Sequence, residues 1–222
     1  GLWVCGSSLS SGGIVYRWVR DTFFRNESAA LMAAGADGYD VVTDAAATVP
    51  RGSGGLLMLP YLSGERSPNW NFDARGMLVG LNLGHDRRHI ARAAMEGISI
   101  HFALAAAALV EVCGPPVEIR ATGGFRKSEL WIQIMAEAIG QRLSLPPNVD
   151  ASGLGAALLA MRVLGLYDSL FETAGLVPIE GNIVPDPAGV KQYAHLTNVY
   201  ERVYTSLEPA LGDIASMADA DN

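Results

Sequence analysis

Between Val117 and Gly140 the sequence VEIRATGGFRKSELWIQIMAEAIG changes its hydrophobic period, and that change limits what the chain can build. Val117, Ile119 and Ala121 alternate with Glu118 and Arg120, the pattern of a half-buried strand, whereas Leu130, Ile134 and Ala138 recur at helical spacing. Gly123 and Gly124 stand at the join. Without a Cβ they can take backbone angles closed to other residues and let a flat ligand approach the main chain, while a helix start there presents unpaired N–H groups. Strand, glycine pair and helix in that order suit a nucleotide. Read alone, the pair fits an ordinary strand-to-helix turn at least as well, so the functional reading depends on corroboration elsewhere.

A second pair, Gly12-Gly13, opens the predicted helix GGIVYRWVRDTFF, whose buried stripe is expected to be Ile14, Val15, Trp18 and Val19. Gly13 stands one turn before Arg17, as Gly124 stands one turn before Ser128. Residues four apart share a helix face, so each glycine clears room beside a polar side chain, and a planar base could lie between two such walls. Close helix packing is the competing explanation for this pair.

The 222 residues are 50% hydrophobic and 18% charged, which fits one compact domain. A net charge of −7 supplies no basic face for nucleic acid or for a membrane surface, so neither is an expected partner. No uninterrupted apolar run reaches membrane length: Phe102 to Val110 stops at Glu111, and Leu154 to Met161 stops at Arg162. Cys5 and Cys113 lack CxxC spacing, which fits reduced thiols and a cytoplasmic location. The start at Gly1-Leu2-Trp3, with neither Met nor polar lead-in, reads as part of something longer.

Further along, Tyr39 to Val49 reads as a helix, Leu56 to Leu62 and Met77 to Asn82 as strands, and Arg87 to Val112 as the longest helix. Arg142 to Leu145 reads as a strand and Gly189 to Leu211 as a surface helix. Ala156 to Leu166 is apolar almost all round and is therefore expected to be deeply buried. Alternating strands and long helices predict a layered α/β fold. In the loop YLSGERSPNWNFDARG, Glu65, Arg66, Asp73 and Arg75 are expected to form ion pairs. His85 and His89 sit four apart but lack Cys partners or a His-Glu-x-x-His pattern, so a solvated or capping role is favoured over zinc; His101 reads as a packed core histidine. GGFRKS lacks the frame of a phosphate loop, and neither a Gly-x-Gly-x-x-Gly fingerprint nor a Gly-x-Ser-x-Gly elbow is present.

Four segments, taken together, resemble the C-terminal domain of the FGGY carbohydrate kinases: GGIVYRWVRD at Gly12, PYLSGERSPNWNFDARG at Pro60, GMLVGLNLGHDRRHIARAAMEG at Gly76, and ATGGFRKSELWIQIMAE with the later SGLGAALLA at Ser152. The resemblance implies an α/β, actin-like ATPase (ribonuclease H-like) fold with a mixed sheet flanked by helices. It implies ATP with Mg2+ in a cleft between two domains, and transfer of the γ-phosphate to a hydroxyl of a sugar, polyol or sugar acid. Gly13, Arg17, Gly124 and Ser128 fall where the family contacts adenine and ribose, with Arg17 standing where some relatives carry Gln and Ser128 where they carry Asn. The kinase domain is expected over residues 1–211, with 212–222 as a tail. The catalytic Asp, the phosphate-binding turn and most sugar contacts belong to an N-terminal domain expected outside this chain. No catalytic or metal-binding residue is therefore assigned, the sugar or sugar acid is a partner only through that missing domain, and the isolated chain is expected to be inactive. The first two segments are most similar to the gluconokinase branch, with xylulokinase next. A non-catalytic actin-like module is the alternative, and homodimerisation is left open.

Overall fold

The computed structural model describes residues 3–147 and 150–219; the expected chain start at Gly1 and Leu2 and the last three positions of the expected tail lie outside them. In order come α1 (Gly13–Phe23), α2 (Arg25–Ala33), α3 (Asp40–Ala47), β1 (Leu57–Leu59), β2 (Met77–Val79), α4 (Arg87–Cys113), β3 (Ile119–Arg120), α5 (Glu129–Ile139), β4 (Leu143–Leu145), α6 (Ala151–Val163), β5 (Gly181–Ile183) and α7 (Pro187–Asp219). Short 3-10 turns occupy Ser53–Gly55, Gly124–Lys127 and Leu170–Leu176. β1 and β2 pair antiparallel, with Met58 opposite Leu78. The second sheet is mixed: β3 runs parallel to β4 with Ile119 opposite Leu143, and β5 runs antiparallel to β4 with Asn182 opposite Ser144. Helix α5 closes one side of this sheet, burying Ile132, Met135 and Ala136 against Ala121 and Leu143.

The main core forms around α4, which packs against α1, α3, α5, α7 and β1. Every residue from Ala91 to His101 is buried, so the helix is enclosed on all sides over three turns. Gly97 allows the closest approach: a Cβ there would collide with the carbonyl oxygen of Met58 on β1. As a helix, α4 does reach the length and apolarity of a membrane span, with a mean hydropathy of 1.7 over its most apolar stretch, although no uninterrupted run in the sequence does. Of that stretch 56% is buried inside the protein, and the same helix carries the buried ion pair of Arg92 and Glu96, 2.8 Å apart. It is a core helix. Asp86 caps its start, its carboxylate accepting from Arg88 N at 2.9 Å while His89 completes the capping box, so His89 has the capping role expected of it.

Glu96 is fully satisfied: besides Arg92 it accepts from Tyr193 Oη at 2.9 Å, Ser53 Oγ at 2.7 Å and Gly52 N at 3.0 Å. Tyr193 belongs to α7, whose Tyr193, Tyr200, Tyr204, Leu211 and Ala215 form one buried stripe at helical spacing. That helix is thus amphipathic rather than purely superficial, and it continues through residue 211 to Asp219. His101 is the packed core histidine expected: its Nε2 lies 2.8 Å from Ser67 O, and its ring stands edge-on to Tyr61.

Three expectations need correction. In α1 the buried residues are Val15, Tyr16 and Val19, while Ile14 is 56% and Trp18 39% exposed. The buried face is rotated by one position because the Tyr16 ring turns inward onto Trp131, with centroids 4.6 Å apart. Helix α6 buries no residue at all, and Val163 is 86% exposed. A helix apolar all round needs a cover, but composition does not say that the cover lies in the same chain. In the loop after β1, no ion pair joins Glu65, Arg66, Asp73 and Arg75 among the described residues. Glu65 is buried and accepts from Asn69 N and Asn71 N, while Arg75 donates to Phe72 O and Ala74 O. Glu65 and Arg75 are thus met by the loop's own backbone, while Arg66 donates to Ser8 Oγ at 3.3 Å. Helix α2 was not anticipated, because it follows α1 after one residue, Phe24, with no turn signal between them.

Candidate functional site

The strand expected over Val117 to Ala121 is realised only at Ile119–Arg120, and the glycines that follow it open a 3-10 turn, Gly124–Lys127, rather than α5 itself. Ser128 is the N-cap of α5, its hydroxyl accepting from Trp131 N at 3.1 Å. Its own O–H remains available to donate. Gly123 has φ +109°, a value that favours glycine, so the turn itself requires this residue. Gly13 is the first residue of α1, as expected, and Gly12 its N-cap.

Both glycine turns face one cavity of about 580 Å³, and all four sequence-predicted positions, Gly13, Arg17, Gly124 and Ser128, line it. Cβ atoms built at Gly12, Gly13 and Gly124 would meet nothing within 4 Å, so these positions look onto open space rather than onto a neighbouring helix. That removes close helix packing as the reason for the Gly12-Gly13 pair. The space is not plugged by the protein's own atoms.

The sequence did not point to the cavity's aromatic lining. Tyr16, Tyr39, Phe125 and Trp131 all border it, with Ile98 and Phe102 contributed by α4. Tyr16 stacks on Tyr39 at 5.8 Å with an interplanar angle of 12°, and Phe125 stands edge-on to Trp131 at 6.2 Å. Burial pushes the Tyr16 phenol above its usual range, so it stays neutral, with its oxygen 3.4 Å from Thr43 Oγ1. Signals did exist for two of these rings: Tyr16 directly precedes Arg17, and Trp131 lies three residues after Ser128. Tyr39 and Asp37 come from the α2–α3 turn, which carries no motif.

Polar groups sit around this apolar lining. Arg17 is exposed, and no carboxylate pairs with it among the described residues. Lys127 Nζ lies 3.0 Å from Asp37 Oδ2. Asp37 is held below the usual carboxylate range first by the N–H of Tyr39 and then by Lys127. Arg20 sits over the outer face of Tyr39, 4.4 Å from its ring centre. Apolar lining with a few convergent polar groups is the usual make-up of a small-molecule site. Among the described residues no group of three or more His, Cys, Asp or Glu is arranged to hold a metal ion.

The layered α/β body, with its mixed sheet flanked by helices, has an actin-like ATPase fold. Comparison with known proteins makes this specific. The sequence profile of the C-terminal domain of the FGGY family of carbohydrate kinases matches residues 1–164, and the chain belongs to that family. It is 37% identical over 214 residues to gluconokinase of Bacillus subtilis (strain 168), covering 96% of this chain and 42% of that protein. Two crystal structures from Lactobacillus acidophilus superpose well. A ligand-bound xylulose kinase has a TM-score of 0.81 and a gluconate kinase 0.79, each with 34% identity, covering 93% of this chain and 40% of theirs. The chain therefore spans about two fifths of the length of these relatives.

Proposed function

We propose that this chain is the ATP-binding half of a carbohydrate kinase that transfers the γ-phosphate of ATP to a hydroxyl of a sugar or sugar acid. The observation that carries the reading is the open slot in front of Gly13 and Gly124, lined by aromatic rings and flanked by Arg17 and Ser128. The fit to a nucleoside is physical: the space a Cβ would otherwise take is free at both turns, and the lining rings offer flat apolar surface to a base. Ser128 O–H can donate to an acceptor on the base or ribose, and the Arg17 guanidinium can stack or donate at the open side. ATP supplies the phosphoryl group, and Mg2+ arrives with its phosphates. The chain's own residues bind and orient the nucleoside, while the base for the attacking hydroxyl and the sugar contacts come from the remaining part of the parent protein. Phosphoryl transfer depends mainly on such positioning and on charge stabilisation, so this half is expected to bind without turning over.

Gluconate is the favoured substrate on the likeness to the Bacillus gluconokinase, with xylulose second on the likeness to the Lactobacillus xylulose kinase. An enzyme acting on a small molecule, without nucleic acid, is consistent with the net charge of −7, and the free Cys5 and Cys113 fit a cytoplasmic location. The test is ADP release by the full-length parent against gluconate, xylulose and glycerol, with melting curves of the protein in ATP, ADP and NAD. Turnover with gluconate above the other two, and stabilisation by ATP and ADP, are expected. Stabilisation by NAD alone, or no sugar-dependent ADP release, would overturn the proposal.

A further inference from the structure

We propose that Asp37 and Lys127 form a clasp across one side of the base-binding slot and so act as positioning residues for the nucleotide. The inference rests on the nucleotide reading of the cavity and adds two residues that no motif marks. Both line the cavity, yet they come from opposite walls: Asp37 from the α2–α3 turn, Lys127 from the last position of the 3-10 turn that Gly124 opens. They are 90 residues apart in sequence and 3.0 Å apart in space.

Both ends of the clasp are anchored, which separates it from a casual surface ion pair. On one wall, Asp37 Oδ1 accepts from Tyr39 N at 3.0 Å, which fixes the carboxylate and leaves Oδ2 for Lys127. The next residue, Gly38, is pressed onto α2: a Cβ there would crowd Ser28 Oγ and Met32 Cγ. Tyr39 in turn lies against Tyr16 and under Arg20. On the other wall, the turn is closed by Arg126 N donating to Gly123 O at 3.2 Å and Ser128 N donating to Phe125 O at 3.1 Å. The bodies of the two walls are tied through α4, and the ion pair fixes their separation at the rim of the slot, where a planar ring would enter. Orientation of a bound reactant within a fixed slot is where such a contact acts, through binding of the nucleotide rather than through the chemical step.

The test uses the full-length parent enzyme. Asp37→Asn keeps the acceptor for Tyr39 N and replaces the charged acceptor that faces Lys127 with a neutral amide donor; Lys127→Gln removes the other partner. Each is expected to raise KM for ATP about two- to fivefold, the ordinary worth of an exposed ion pair, with kcat and the sugar KM unchanged. The double variant should be no worse than either single one, and Lys127→Arg should restore the wild-type KM. Added salt should raise the wild-type KM for ATP and leave that of Asp37→Asn unmoved, since an exposed pair is screened. Melting temperatures of the variants report on folding, and Lys127→Met, which keeps the length of the stem without the charge, carries the test if Lys127→Gln is unstable. Tighter ATP binding by Asp37→Asn beside weaker binding by Lys127→Gln would mean that the lysine holds the phosphates directly, and would overturn the clasp. Unchanged KM in both single variants would overturn it equally. If wild-type enzyme itself shows no saturable dependence on ATP, the nucleotide reading fails rather than the clasp.

Discussion

Single residues carry most of what was legible about the site. Gly13, Arg17, Gly124 and Ser128 could be picked out because glycine before a polar residue at helical spacing leaves a mark in sequence, and the structure brings all four to one cavity. Tyr39 and Asp37 left no mark, since what places them is a turn packed on another helix. Glycine substitutions separate the roles of these positions. Gly13→Ala meets no protein atom and should leave the melting temperature unchanged or raise stability by up to about 1 kcal/mol, because alanine is the better helix former. The same methyl group would occupy the slot, and ATP affinity measured by titration should fall about tenfold. Gly97→Ala is the reverse case. Its methyl group meets the Met58 carbonyl, so urea unfolding should show a loss of about 3 kcal/mol whether or not nucleotide is present.

At the level of elements, α4 was read to within one residue, whereas α7 runs eight residues beyond its expected end. The start of α4 depends on Asp86, whose carboxylate is held well below the usual range, chiefly by the Arg88 side chain and then by His89 and the Arg88 N–H. A depressed folded-state value means that the stabilisation is present above the unfolded carboxylate pKa of about 4 and is lost as pH falls through the folded value. Asp86→Ala should therefore lower the melting temperature at pH 7, by an amount equivalent to about 1 kcal/mol, and the gap to wild type should close as the pH is taken well below 4. Glu96 joins α4 to α7 and to the Ser53 turn through four donors. Removing it leaves a buried guanidinium without its partner, so Glu96→Ala should cost about 3–5 kcal/mol in urea unfolding. Periodicity did not mark Glu96 on α4. Apart from Arg92, its donors come from residues more than 40 positions away, and local pattern holds no trace of them.

For the whole molecule, the misreading of α6 is the instructive one. Its apolarity fits a helix made to be covered, but among the described residues its main neighbour is the short turn at Leu170–Leu176 and none of its residues is buried. In a chain spanning 42% of the Bacillus relative, a cover supplied by the rest of the parent is the simple physical account. The purified 222-residue chain should accordingly bind a hydrophobic dye and show no sugar-dependent ATP turnover. Leu159→Lys with Val163→Lys should reduce the dye signal without lowering its melting temperature, whereas the same pair should destabilise the full-length parent. Equal dye binding by both versions of the short chain would show that the exposed surface lies elsewhere.

One arrangement in the core reaches further than its location suggests. Ile98 and Phe102 form the back of the cavity, and on the same rigid rod, half a turn and more toward its beginning, Glu96 is gripped by Tyr193 of the last helix. The last helix, although none of its described residues lines the cavity, thereby becomes a tensioner for it: Tyr193→Phe, which drops the phenol's bond to Glu96 and keeps the ring in the core, would register first as a slackened grip on whatever fills the cavity.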